Sequence, residues 1–377
     1  MNLRRTWAVT RKEFLHIARD ARSLVMALAL PVFMLLLFGY ALTLDIDRIP
    51  TMVYDADRTP ESRELLARFQ GSRYFQILGA AADYRAIEQA IDRNQCLLGL
   101  VIFKDFASRL QSGAPAPVQL LLDGSDSNTA SIGLGYARAL LQSYDLELRA
   151  GAQNRRGGGT LAAPVQPRLR VWYNAELKSR NYIVPGLIAV ILMIIAALLT
   201  SLTIAREWEM GTMEQLLSTP LRAPEIVLGK MAAFFALGVA DMIVAIVAGV
   251  GIFRVPLRGD LLFLAASSAI FLVGALCWGI LISAVVRSQL LAYQLGALTS
   301  FLPAFLLSGF IFDIENMPRV IRAVTYIFPA RYFVAILKGV FLRGVGAEIL
   351  WPQAALLLAF AAIVFLAATR KLKQRIA

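Results

Sequence analysis

The sequence predicts an α-helical polytopic membrane protein of six transmembrane helices, with an N-terminal interfacial helix and an inserted extracytoplasmic α/β domain. Three observations predict it. Of the 377 residues 58% are hydrophobic, and the mean hydropathy is +0.62, above the 45–50% apolar content of soluble chains. The apolar residues fall in runs of about 20 with few charges, the length that crosses a hydrocarbon core as a helix. A polar stretch from Asp45 to Asn181 interrupts those runs and alternates strand and helix patterns.

The first segment, residues 1–22, is amphipathic. Leu3, Trp7, Thr10, Phe14, Ile17 and Ala21 recur in steps of four and three and share one helical face. Arg5, Lys12 and Arg19 fall roughly opposite. Such a helix lies in the membrane interface, with Trp7 and Phe14 in the lipid and the cations toward water and lipid phosphate. His16 is the only histidine; it reads as a polar-face residue, with no second ligand spaced for a metal.

The first span is expected over residues 23–44, around Pro31, and lacks a small-x-small cleavage pattern after it. Residues 45–181 follow as the α/β domain. Its strands are expected at Thr51–Tyr54, Tyr74–Leu78, Leu97–Phe103 and Val118–Leu122, with a short one at Leu169–Tyr173. Its helices are expected at Glu61–Gln70, Asp83–Asp92 and Asn128–Arg149. Gln153–Gly159 is a flexible loop by composition. Residues 182–377 hold five more spans: Tyr182–Ile204, Leu228–Phe253, Leu261–Val286, Leu291–Phe312 and Trp351–Thr369. Asp313–Glu348 is expected as a pair of short helices dipping into the outer interface.

The net charge of +12 sits beside apolar runs, which favours lipid phosphates over nucleic acid. Six spans put both termini on one side. Arg4, Arg5, Arg11, Lys12, Arg370, Lys371 and Lys373 make that side cytoplasmic. The two cysteines, Cys96 and Cys277, belong to water and to bilayer depth, so no disulfide joins them.

No phosphate-binding loop occurs. Gly229-Lys230 is the only Gly-Lys pair, with Pro224 at the first glycine position and Met231 after the lysine. H-E-x-x-H, G-x-S-x-G and metal clusters are also missing, which argues against a membrane-embedded hydrolase. The chain is therefore not expected to be an enzyme. An anchored receptor using the polar domain is the alternative to a transporter.

The segment from Arg206 to Pro220 carries the strongest signal. Gly211 breaks the helix, Thr212 is placed to cap a new one, and Pro220 stops it. Met213, Leu216 and Leu217 give the new helix an apolar face, and Glu214 is free to meet a cation. A short helix presented between two spans suits docking in a groove of a soluble protein.

Arg206-Glu-x-Glu-x-Gly-Thr-x-Glu-x-Leu-x-x-Thr-Pro220, with Glu225 and Gly229-Lys230 after it, resembles the coupling-helix region of type-2 ABC exporter permeases. Leu307–Phe312, Asn316-Met-Pro318, Phe328-Pro-Ala-Arg-Tyr-Phe333 and Lys338–Gly344 are similar to the family's outer re-entrant segment. The resemblance covers nearly the whole chain. Asp313 departs from it, standing where many relatives have proline.

The resemblance implies a bacterial inner-membrane permease, a dimer with a second copy or a paralogue, that exports a drug-like molecule or lipid. This chain would bind no cofactor; ATP and Mg would sit on cytoplasmic ABC ATPase subunits. The large insert is similar to that of the drug-exporter branch, which implies a periplasmic adaptor and an outer-membrane channel. Glu207, Glu209, Gly211, Thr212, Glu214, Leu216, Leu217 and Pro220 (coupling helix about 211–219) would couple to the ATPase. Asp241, inside the third span, is expected to face the route or to pair with Lys230. Tyr293, Gln294, Thr299 and Ser300 give the fifth span a polar side near that route.

Overall fold

The computed structural model describes residues 2–41, 48–125, 127–155, 173–174 and 178–376. The chain divides into two units, residues 44–169 and residues 1–43 with 170–377.

The smaller unit is an α/β layer. Strands β1 (Ile49–Asp55), β2 (Phe75–Ala80), β3 (Leu98–Ile102) and β4 (Val118–Leu122) form one sheet in the order β2-β1-β3-β4. β1 runs parallel to both neighbours and β4 antiparallel to β3. The parallel pairs require crossovers, supplied by α3 (Pro60–Gly71) and α4 (Tyr84–Asp92). Thr59 and Ser62 cap α3 reciprocally, satisfying two end groups at once. All of β3 is buried, and Leu65, Phe69, Ile87, Leu98 and Leu100 fill the core. The four main strands and three helices lie where the sequence places them, within a few residues.

Two features of this unit differ from expectation. An additional helix, α5 (Phe106–Ser112), follows β3; at seven residues it is too short to show a period. The last helix, α6 (Ser127–Arg155), runs through Gln153–Arg155, which composition assigns to a loop. Residues 156–159 of that loop, and residues 169–172 of the expected short strand, lie outside the described residues; Tyr173 is a bend, not a strand.

The larger unit is helical. α1 (Leu3–Arg19) and α2 (Ala21–Ala41) precede the α/β unit; α7 (Ser179–Glu209), α8 (Thr212–Leu217), α9 (Ala223–Gly251), α10 (Leu261–Val285) and α11 (Gln289–Leu306) follow it. Then come α12 (Arg319–Thr325), α13 (Pro329–Lys338), a π-helical turn at Gly339–Arg343 and α14 (Ala347–Ile376). Among the described residues five helices (α7, α9, α10, α11 and α14) are long and apolar enough to cross a membrane, or six if the bent pair of α12 and α13 counts as one span, and the apolar part of α2, Ala27–Ala41, is shorter. α12 and α13 with its π turn meet at 86°, a bent pair where two short helices are expected. α11 stops at Leu306 and not at Phe312, because the chain turns through Gly309 at φ +80. Lys338 Nζ fastens that turn, donating to the Gly309 carbonyl at 2.7 Å and lying 3.3 Å from the centre of the Tyr182 ring.

α7 is the central helix. Every residue from Ile183 to Ala197 is buried. α10 crosses it at Gly279, where a Cβ would come within 2.4 Å of the Ala197 carbonyl. Thr200 Oγ1 donates to Leu276 O of α10 at 3.0 Å. In return Ser283 Oγ accepts from the backbone nitrogens of Ile204 and Ala205, both at 2.9 Å. Close approach through small and hydroxyl residues is how helices associate without a hydrophobic driving force. Both cysteines are free and buried.

Candidate functional site

The site forms around α8. At Gly211 the backbone takes φ +70, a left-handed turn that glycine adopts without steric cost. The chain folds back there, and α8 lies against the membrane unit. Met213 is fully buried among Ile204, Ile226, Val227, Ile280 and Leu372, with Leu216 packed on the same cluster. Met213 and Leu216 of the apolar face expected to dock in a partner are therefore spent on the protein's own helices, while the side chain of Leu217 lies outside the described residues. Among the described side chains of α8 and the turn after it, Glu214, Gln215, Ser218, Thr219 and Pro220 remain exposed, all polar except the proline.

Thr212 is not the N-cap. Gly211 holds that position, and the Thr212 hydroxyl donates back to the Glu207 carbonyl at 3.4 Å. The left-handed turn rotates the threonine toward the end of α7, which has free carbonyls to satisfy.

Glu207 and Glu209 are also engaged within the chain, Glu207 buried and Glu209 exposed. Glu209 Oε2 accepts from the backbone N of Gln289 at 2.7 Å, capping the start of α11. Glu207 is 5% exposed and joins an ion cluster. Its Oε1 lies 2.8 Å from Lys12 Nζ and 3.0 Å from Lys230 Nζ. Lys230 Nζ also meets Glu13 Oε1 at 2.8 Å. Two cations and two anions from α1, α7 and α9 thus neutralise one another, with Lys230, Glu13 and Glu207 buried and paired as buried charges must be, and Lys12 closing the cluster from the exposed side.

Burial alone would raise the Glu13 carboxyl; Lys230 first and Lys12 next outweigh it and hold it below the ordinary carboxylate range. Burial would likewise lower the Lys12 ammonium, but Glu207 and then Glu13 hold it above its ordinary value.

α1 is seated by this cluster and by shape. Gly229 lets it approach so closely that a Cβ there would be 2.6 Å from Val9 Cβ. Asn2 N donates to Glu225 Oε1 at 2.7 Å, and Arg5 Nη1 to the Pro220 carbonyl at 2.5 Å. Trp7 and Phe14 remain exposed, as an interfacial helix requires. Arg5 and Lys12, expected on the water side, are instead turned onto α7 and the loop after α8. Glu13 is not among the residues that the periodicity singles out; its partner lies 217 residues away.

The expected pairing of Asp241 with Lys230 does not form. Lys230 is occupied by Glu13 and Glu207, and Asp241 lies eleven residues on, about 16 Å along α9. Asp241 is 1% exposed and neither carboxylate oxygen has a hydrogen-bond partner. Nor does it converge with the polar residues of α11. α7 packs against both helices. Thr299 accepts from Trp278 Nε1 at 3.1 Å, Ser300 is buried and donates to the Gly296 carbonyl, and Tyr293 and Gln294 are exposed. No group of three metal-ligating side chains occurs among the described residues.

The described helices make a polytopic helical membrane protein with a short helix folded back between two spans. The family profile described as ABC-2 family transporter protein matches residues 21–370, and the chain belongs to that family. It is 36% identical to the probable multidrug ABC transporter permease YbhS of Escherichia coli (strain K12), covering 100% of this chain and 98% of that protein. It is 32% identical to the probable multidrug ABC transporter permease YbhR of the same organism, over 92% of each chain. The inner membrane transport permease YhhJ, also of that organism, is 24% identical over 87% of this chain and 86% of its own length. The chain is the transmembrane permease subunit of an ABC exporter, a multi-pass membrane protein that works with a partnering ATPase subunit. The receptor alternative is thereby set aside.

Proposed function

We propose that the exposed face of α8 is the surface on which the ATPase acts, with Glu214 as its charged contact. One observation carries this reading: Met213 pins α8 to the membrane unit while Glu214 and Gln215 stay free at its surface. A push on such a helix is transmitted and not absorbed, because packed interiors yield little. ATP and Mg are bound by the partner and not by this chain. The permease acts as a dimer, with a second copy or a paralogue, in the bacterial inner membrane. Both termini and α8 are cytoplasmic, and the α/β unit is extracytoplasmic and available to a periplasmic adaptor and outer-membrane channel. The cargo is hydrophobic or amphipathic, in keeping with the multidrug relatives.

The test uses the permease co-expressed with its ATPase and reconstituted in proteoliposomes. Glu214→Lys is expected to leave the thermal midpoint of the permease unchanged, because the side chain is exposed, and to reduce ATPase association and export at least about tenfold, the equivalent of one lost charged contact. Unchanged association and export would overturn the assignment.

A further inference from the structure

A cavity of about 440 Å³ lies behind α8, walled by α1, α2, α7 and α9. That volume is in the range of small-molecule sites. Its polarity changes along its length. Glu207, Lys230, Arg206 and His16 line one end, and Leu199, Leu202, Phe234 and Leu237 line the other. Leu199 is eight residues from Glu207 on α7, and Leu237 is seven from Lys230 on α9. Both walls therefore pass from ionic to apolar over roughly 10–12 Å. This is the profile of a head and a chain.

Glu207 supplies the second observation. Its Oε1 takes both lysines, but its Oε2 is buried with no hydrogen-bond partner. A buried acceptor left without a donor is costly. The cluster itself is balanced, Lys12 and Lys230 against Glu13 and Glu207, so what the site lacks is a donor and not a net charge. A primary ammonium supplies an N–H; a quaternary one has none.

We propose that this cavity binds an amphiphile with a protonated primary amine, its N–H donated to Glu207 Oε2 and its chain laid along Leu199, Leu202, Phe234 and Leu237. Arg206 and His16, exposed at the rim, fit the phosphate of an ethanolamine phospholipid. A simple alkylamine uses the same ammonium and apolar contacts. The inference stands independently of where the ATPase docks.

The full-length permease is placed in nanodiscs holding equal amounts of phosphatidylethanolamine and phosphatidylcholine, and the retained lipid is weighed by native mass spectrometry. About tenfold preference for the ethanolamine lipid is expected, the worth of one charge-assisted hydrogen bond. Glu207→Gln brings the two lipids to parity. Because that change also disturbs the ion cluster, Leu202→Trp fills the apolar end instead and removes bound lipid of both kinds.

Dodecylamine is expected to displace the ethanolamine lipid, and dodecyltrimethylammonium is not. In the complex with its ATPase, loss of the bound amphiphile on ATP addition identifies it as cargo, and its persistence identifies it as a resident lipid. Equal retention of the two lipids by the unaltered protein, displacement by the quaternary amine as readily as by the primary one, or retention unaffected by Leu202→Trp would overturn the proposal.

Discussion

Lys230 of α9 and Glu13 of α1 meet at 2.8 Å, with side chains 1% and 11% exposed. Removing one member of such a pair leaves a buried charge without compensation. Lys230→Met is expected to destabilise the permease by about 3–5 kcal/mol. Joint replacement by apolar residues, Lys230→Met with Glu13→Leu and Glu207→Leu, recovers most of that loss. Thermal unfolding in nanodiscs measures both; a single variant as stable as the parent would remove the cluster's role in holding α1.

Acid acts on the same contact in a definite direction. The Glu13 carboxyl is held low in the folded protein, so its contribution is complete above the ordinary glutamate pKa of about 4.3 and is lost as pH falls through the lowered folded value. Protease access to α1 should therefore stay constant from neutral pH down to about that point and rise only below it. A rise already at pH 6 would contradict the pairing.

Gly211 at φ +70 is the one residue that lets α8 fold back beneath α7. Gly211→Ala is expected to cost about 1 kcal/mol and to keep coupling. Gly211→Pro cannot adopt this angle and also loses the N–H donated to the Trp208 carbonyl. Export by Gly211→Pro should fall much further than export by Gly211→Ala. Equal export by the two, measured in the same vesicles, would separate the turn from coupling.

Asp241 carries two unpartnered oxygens inside an apolar interface. A residue kept only for packing would be improved by an apolar replacement, so Asp241→Leu is expected to raise the thermal midpoint. A residue on the cargo route would at the same time lower export. Both together assign Asp241 to the route; a raised midpoint with unaltered export assigns it to packing alone.

Much of this was readable from residue order, and what was not has a common cause. The apolar runs, the strands β1 to β4 and the break at Gly211 are local properties, set by hydropathy, alternation and backbone angle. The fates of Glu13, Lys230, Glu207 and Asp241 are not local. An acidic residue on an amphipathic helix reads as solvated unless its cation is known, and here the cation is 217 positions away. Gly229-Lys230 does not fit a phosphate loop, yet both residues matter: the glycine seats α1 and the lysine binds Glu13. Met213 was read correctly as apolar, but no periodicity tells whether an apolar face covers its own protein or another.

The crossing of α7 and α10 near Thr200 and Gly279 divides α7 unequally. Below it, about 16 Å of chain leads to Gly211; above it, roughly 32 Å of helix leads back to Ser179, at 1.5 Å per residue. A rod tilted about such a fulcrum magnifies displacement in the ratio of its arms, here about twofold. A nudge at α8 would then become a swing about twice as large at the far end of α7, beside the turn that Lys338 fastens. The exporter would thus possess a mechanical advantage built from one glycine and two hydroxyls.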